Sequence, residues 1–439
     1  MKLYLFISAC LLTTSLAIAQ EMSKGIKRFT IGPDDITPTT LYNSKTGYGF
    51  DDTTGLRMVE SKRRGPTTYI TANRPFSFSV DLPEGFYNVT VILGDVNGTS
   101  ATTVRAECRR SFIQNFITKK GRLAKKTFTV QVRDTLIYNK EGKVTGSIKI
   151  KPREREYLHW DNRLTIEFTD SVPKVCQIEI NKANVEHAIF LAGNSTVVDQ
   201  SKEPWAAWGQ IIPAFLDPED VVVANYAESG EALYSFKSAG RLDKILSLAQ
   251  PGDYVFIEFG HNDQKRKGEG VGPFTSYKKD LEYYVQEVRK RGADPVLVTS
   301  MHRRSFDSSG HIINTLGDYP AAVRQVAKEQ NVALIDLNAM SKDLYEAWGP
   351  ELSLKAFVHY PAGTFPGQTE ALKDNTHFSP YGAYEIARCI AKGIMDAKLP
   401  IRRALLPKYR TFDPKKPDDY GTFYWPMSGS VEVMKPDGN

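Results

Sequence analysis

The hydrophobic period changes near Val185, and that change constrains the fold more than any other feature. Ahead of it, apolar and polar residues alternate: Phe76-Ser77-Phe78-Ser79-Val80-Asp81-Leu82 runs into the turn Pro83-Glu84-Gly85, then Tyr87-Asn88-Val89-Thr90-Val91-Ile92-Leu93. A period of two marks strands with one buried face. Runs at 128–132, 145–150, 164–168 and 176–180 continue it, with Gly and Pro between them, and predict an antiparallel β-sandwich. Beyond Val185 the apolar runs 188–192, 221–223, 254–259, 295–299 and 332–337 are short and unbroken, as strands buried on both faces should be. Helical patterns lie between them, such as Leu281, Val285 and Val288, or residues 319–330. Alternating strand and helix predicts a three-layer α/β/α domain on a parallel sheet, whose ligand site lies beyond the carboxyl ends of the strands.

The 439 residues, 25% charged and 41% hydrophobic, exclude a disordered polymer, a collagen-like repeat and a multi-span membrane protein. The net charge of +6 spreads 57 basic residues among 51 acidic ones. That balance argues against a nucleic-acid partner and suits an acidic polysaccharide equally well. At the amino terminus, Lys2, an apolar stretch and Ala17-Ile18-Ala19 read as a secretion signal with cleavage near Gln20, giving a periplasmic or extracellular protein. The alternative, a lipid anchor at Cys10, has too short an apolar stretch before it. The expected organisation is a signal at 1–19, a sandwich at 20–184, an α/β domain at 185–399 and a tail at 400–439 packed by Phe412, Phe423, Tyr424 and Trp425. Export permits a Cys108–Cys176 disulfide, though buried free thiols are the reading preferred here.

Four segments at strand ends or helix starts carry reactive side chains. Gly193-Asn194-Ser195-Thr196 follows the first buried strand, where a serine can present its hydroxyl; an ordinary turn or helix cap explains it equally well in isolation. Asn225-Tyr226-Ala227-Glu228-Ser229-Gly230 follows the second strand and could offer a bare backbone N–H at Gly230; a helix entry capped by Ser229 is the alternative. Gly260-His261-Asn262-Asp263 follows the third and could offer the Asn262 amide to an oxyanion; an Asn closing its own loop is the alternative. In Asp374-Asn375-Thr376-His377, spacing i, i+3 on one turn would let the carboxylate fix the imidazole tautomer; the alternative is that Asp374 caps the turn and His377 packs. The seven histidines include no pair at the close spacing of a helical metal site, so no zinc site is expected.

Taken in order, a serine, a glycine, an asparagine and Asp-x-x-His supply every role of an acyl-transfer hydrolase. The order resembles the SGNH (GDSL) hydrolase superfamily. Phe190-Leu191-Ala192-Gly193-Asn194-Ser195-Thr196-Val197, Gly260-His261-Asn262-Asp263-Gln264, Met301-His302-Arg303-Arg304-Ser305-Phe306-Asp307 and Asp374-Asn375-Thr376-His377-Phe378-Ser379-Pro380-Tyr381-Gly382 are similar to its rhamnogalacturonan acetylesterases. The resemblance spans about 186–398, and the sandwich resembles the galactose-binding-like domain of some bacterial members. It implies Ser195 as nucleophile, His377 as base and acid, Asp374 as orienting carboxylate, and Ser195, Gly230 and Asn262 as the oxyanion hole. It further implies a secreted esterase removing acetyl groups from pectic rhamnogalacturonan, with no metal or organic cofactor. Asn194 stands where that family usually has Asp, leaving the turn's support in question.

Candidate substrate contacts are His261, Arg303 and Arg304, with Lys119, Lys120, Arg122, Lys125 and Lys126 in the sandwich; a solvated basic face is the alternative. Trp205 and Trp208 are expected on one helix, as core or sugar-stacking rings. Asp51-Asp52 is a candidate structural calcium site. Other readings are a deacetylase of acetylxylan or another glycan, and a catalytically silent carbohydrate-binding protein. A lipase is disfavoured, for no apolar lid stands out.

Overall fold

A computed structural model describes residues 25–60 and 68–436. The signal reading at 1–19, with Cys10, lies outside them. The alternating half forms two antiparallel sheets. One has the spatial order Arg57–Val59, Tyr69–Thr71, Val175–Lys182, Gly85–Asp95, Arg122–Val132, with Lys27–Thr30 also paired to Val175–Lys182. The other runs Tyr48–Phe50, Phe76–Asp81, Arg163–Val172, Ser100–Ala106, Arg110–Thr118. Their inward residues, Phe78, Val89, Val91, Val130, Ile166 and Ile178 among them, share one dry core. The run expected at 145–150 is shorter, and Val144–Ser147 pairs with Leu136–Tyr138 in a separate hairpin.

The parallel sheet holds the strands His187–Gly193, Val221–Asn225, Tyr254–Glu258, Asp294–Val298 and Ala333–Ile335, in spatial order second, first, third, fourth, fifth. Successive residues of the first strand enter opposite cores: Ile189 and Leu191 join Val223 and Phe256, while Ala188, Phe190 and Ala192 join Val222 and Val255. This explains the unbroken apolar runs. Fully burying one such Val or Leu is worth about 1.5–3 kcal/mol. Lys278–Lys290 and Tyr319–Glu329 cover one face, Leu337–Ala356 and Pro380–Asp396 the other. Because the first strand has the second on one side and the third on the other, the chain changes its direction of travel there, and a crevice opens beyond the carboxyl ends.

The two halves are clamped together. Arg110 donates Nε and a terminal N–H to Asp199 Oδ2 at 3.0 and 2.8 Å, with both side chains buried. Arg109 pairs with Glu203 at 2.6 Å and donates to the carbonyls of Gln200 and Trp205. The tail completes the clamp. Phe412, Phe423 and Trp425 pack on the α/β core, the Arg105 guanidinium lies 4.0 Å over the Trp425 ring, and Arg105 donates to Ser428 Oγ at 2.8 Å. Cys108, Cys176 and Cys389 are buried free thiols. Burial pushes the Cys108 thiol up to about 12.

Candidate active site

Gly193 ends the first strand, and the chain turns back at once. A Cβ on Gly193 would stand 2.5 Å from Val197 Cγ2, so the turn needs glycine. Asn194, fully buried, accepts from Thr196 N at 3.0 Å and Thr196 Oγ1 at 2.9 Å through Oδ1. Its amide oxygen therefore does the turn-holding for which a carboxylate was in question. Ser195 sits at the crest, 3% exposed, with its carbonyl accepting from Gln200 Nε2 at 2.9 Å.

Beneath this turn lies Glu258, beside Gly193 in the sheet register. Its Oε2 accepts from Trp208 Nε1 at 2.7 Å, and Oε1 lies 3.1 Å from Thr196 Oγ1. Burial pushes this carboxyl up to about 7. The Thr196 hydroxyl has one proton and faces two acceptors. A protonated Glu258 donates to Thr196 and leaves the Thr196 proton for Asn194.

The second segment places Gly230 in the left-handed region at φ 81°. The preceding Ser229 carbonyl accepts from Lys151 Nζ at 2.5 Å and from Arg153 at 2.8 Å. Lys151 also pairs with Glu231 at 2.8 Å, and Arg153 with Glu228 at 2.6 Å. Both cations come from a loop of the sandwich, between the strands Val144–Ser147 and Arg163–Val172. The third segment brings Asn262 alongside: one amide N–H goes to the Glu231 carbonyl at 3.0 Å, and Oδ1 accepts from Lys265 at 3.1 Å. Gly230 and Asn262 line one cavity of about 340 Å³.

Asp374 and His377 meet as their spacing predicts, on a different backbone from the one expected. They lie in the strand Leu372–Phe378, not in a helical turn, paired with Phe357–Tyr360. Phe357 faces Phe378 and His359 faces Lys373, so the residues between bulge outward. The bulge is held by Asp374 Oδ1, which accepts from the N–H groups of Thr376 and His377 at 2.7 and 2.8 Å. Asp374 Oδ2 lies 2.9 Å from His377 Nδ1. Burial alone would raise the Asp374 carboxyl, but its hydrogen bond to His377, the imidazolium charge and the two backbone donors outweigh burial and hold it well below the usual carboxylate range. With a carboxylate at Nδ1, that nitrogen carries the proton and Nε2 is the basic one. The Trp205 ring stands edge-on to His377, centroids 5.7 Å apart, and Lys435 Nζ lies 3.4 Å from Asp374 Oδ2.

The other candidates have different surroundings. His261 is buried, and burial with the nearby Arg303 charge pushes its imidazole well below the ordinary value, leaving it neutral. Arg303 reaches the carbonyls of His261 at 3.3 Å and Thr315 at 3.4 Å. Arg304 is directed into the protein, donating to Asn375 Oδ1, the Pro350 carbonyl and Ser353 Oγ, so it props the Asp374 bulge. In the sandwich, Lys126 lies over the Phe116 ring at 4.2 Å. Trp205 precedes the short helix Trp208–Ile211 and does not share it with Trp208; both rings are buried. Asp51 accepts from Ser79, and Asp52 pairs with Arg74 at 2.6 Å. Among the described residues no group of three His, Cys, Asp or Glu is placed to hold a metal. Sequence reasoning missed Lys151, Arg153, Gln200, Glu258 and Lys435. The signal for the first two was the charge run Lys151-Pro152-Arg153-Glu154-Arg155-Glu156 ahead of the strand Arg163–Val172.

The strand order, the loops at the carboxyl ends of the first three parallel strands and the bulged Asp374–His377 strand are those of the SGNH class of α/β hydrolase fold, preceded by a β-sandwich. Residues 191–383 match the GDSL-like lipase/acylhydrolase family, and residues 25–146 match the beta-agarase/YXIM esterase-like, galactose-binding domain-like family. The rhamnogalacturonan acetylesterase RhgT of Bacillus subtilis (strain 168) is 43% identical over 222 residues, 50% of this chain and 94% of that protein. An uncharacterized esterase of the same organism, YxiM, is 28% identical over 331 residues, 72% of this chain and 78% of that protein. The crystal structure of YxiM covers 85% of this chain and 99% of its own, at 24% identity and a TM-score of 0.45. The chain belongs to the GDSL-like lipase/acylhydrolase family.

Proposed function

We propose that this protein is an exported serine esterase that removes O-acetyl groups from acetylated pectic polysaccharide, chiefly rhamnogalacturonan. The observation that carries the reading is the buried Asp374–His377 pair at 2.9 Å, packed edge-on against Trp205 of the loop that follows Ser195. Similarity to a protein named rhamnogalacturonan acetylesterase supports the substrate.

In this reading Ser195 Oγ attacks the acetyl carbonyl as His377 Nε2 takes its proton, and Asp374 stabilises the imidazolium that forms. The N–H groups of Ser195 and Gly230 and the second amide N–H of Asn262 receive the oxyanion. The sugar hydroxyl departs with the proton returned by His377. Water, deprotonated by the same imidazole, then splits the acetyl-serine to give acetate. Every step runs on the chain's own side chains and backbone. The test is acetate release from acetylated rhamnogalacturonan beside acetylated xylan at equal acetyl content. Faster release from rhamnogalacturonan is expected; release from xylan alone contradicts the substrate assignment, and release from neither contradicts the activity.

A further inference from the structure

A cleft of about 740 Å³ lies between two segments outside both family matches: the sandwich loop from Pro152 to Leu158, which precedes the strand Arg163–Val172, and the tail from Ser430 to Pro436. Four of its lining residues are tied to the catalytic candidates. Gln200 holds the Ser195 carbonyl, Ser229 precedes Gly230, Trp205 stands edge-on to His377, and Lys435 approaches Asp374 at 3.4 Å. The cleft thus adjoins the site through the neighbours of its candidate residues. Its tail wall is pinned to the loop after Ser195: the Glu203 N–H donates to the Ser430 carbonyl at 2.9 Å, the Glu432 N–H to the Glu203 carbonyl at 2.8 Å, and Trp205 Nε1 to the Glu432 carbonyl at 2.8 Å.

The lining has the chemistry of a charged sugar's partner. Leu158 and Met434, on opposite walls, are 36% and 72% exposed, and exposed apolar side chains lining a cleft mark a binding surface. Tyr157 adds a half-buried ring beside Leu158. Lys202 and Lys435 stand at the rim, 39% and 47% exposed, with carboxylate partners at 3.7 and 3.4 Å, distances at which a ligand carboxylate can compete. The volume is far larger than an acetyl group needs and falls within the 300–1,000 Å³ typical of ligand sites.

We propose that this cleft is a glycan subsite, in which this sandwich loop and the tail grip the uronate-containing chain on either side of the ester. It rests on the esterase reading above and adds the segments that bind the polymer. The C–H faces of pyranose rings would lie on Tyr157, Leu158 and Met434, and uronate carboxylates would meet Lys202 and Lys435.

The test is titration calorimetry of an acetylated rhamnogalacturonan oligosaccharide against full-length Ser195→Ala protein. Adding Tyr157→Ala or Met434→Ala, one on each wall, is expected to weaken binding about tenfold or more, with melting temperatures near that of Ser195→Ala to show that folding is retained. Affinity unchanged in both overturns the subsite. Equal affinity for the carboxyl-reduced oligosaccharide overturns the uronate assignment. Acetate release by the wild type from the same oligosaccharide separates the two ideas: release with unaltered variant affinity sinks the subsite alone, whereas no release and no binding sinks the substrate reading with it.

Discussion

At the scale of single residues, the proposed chemistry needs three side chains and the groups that aim them. Asp374→Asn keeps the bulge acceptor but removes the charge that fixes the His377 tautomer, so kcat is expected to fall on the order of 10⁴-fold in a steady-state ester assay. Asn262→Ala removes one oxyanion donor and should cost about 10²–10³ in kcat, roughly 2.7–4 kcal/mol. Glu258 makes a prediction about pH. Its folded value of about 7 lies above the ordinary 4.5, so the folded protein holds a proton that the unfolded chain has released. Stability therefore declines as pH rises from about 4.5 to about 7 and levels off above that. Glu258→Gln can still accept from Trp208 and donate to Thr196, so melting temperatures across this window should lack that decline; an identical decline in the variant contradicts the assignment. The i, i+3 spacing made the Asp374–His377 contact legible in the sequence. Glu258 was not legible, because a carboxylate closing a buried strand looks like any strand end until Trp208 and Thr196 are folded against it.

At the scale of elements, the sheet strands declared themselves through unbroken apolar runs, and the helices Lys278–Lys290 and Tyr319–Glu329 through their period. The strands Ser100–Ala106 and Arg110–Thr118 did not. Their intervening residues, Glu107 and Arg109, adopt φ of 57° and 60°, and the arginines that follow point into the other half of the molecule. Charge needed for an internal interface masked the period of two. The bulge carrying Asp374 was hidden for a related reason, since its shape comes from pairing with Phe357–Tyr360, a partner no local pattern names. The Gly230 loop belongs to this scale too, because Lys151 bonds both its Ser229 carbonyl and Glu231. Lys151→Met should loosen that loop and lower kcat about tenfold with little change in KM, alongside faster hydrogen exchange at 228–231. Unaltered exchange and kcat would show that the loop stands without this brace.

At the scale of the whole molecule, the sandwich is a structural partner of the catalytic half. The period change near Val185 falls between the strands Val175–Lys182 and His187–Gly193, and it gave no sign of how tightly the halves interlock through Arg109, Arg110 and the tail around Trp425. Arg110→Ala leaves the Asp199 carboxylate buried without its guanidinium and is expected to destabilise the protein by about 3–5 kcal/mol in denaturant unfolding. A change below ~1 kcal/mol would mean that water or another group reaches Asp199. Among the described residues no helix is long and apolar enough to cross a membrane. The central claim, that Ser195 is the acyl-accepting nucleophile, is tested most directly by treating the intact protein with a serine-reactive organophosphonate and mapping the adduct by peptide mass spectrometry. A single adduct on Ser195, absent in His377→Ala, is the expected result; an active enzyme labelled at another residue, or unlabelled, would contradict it.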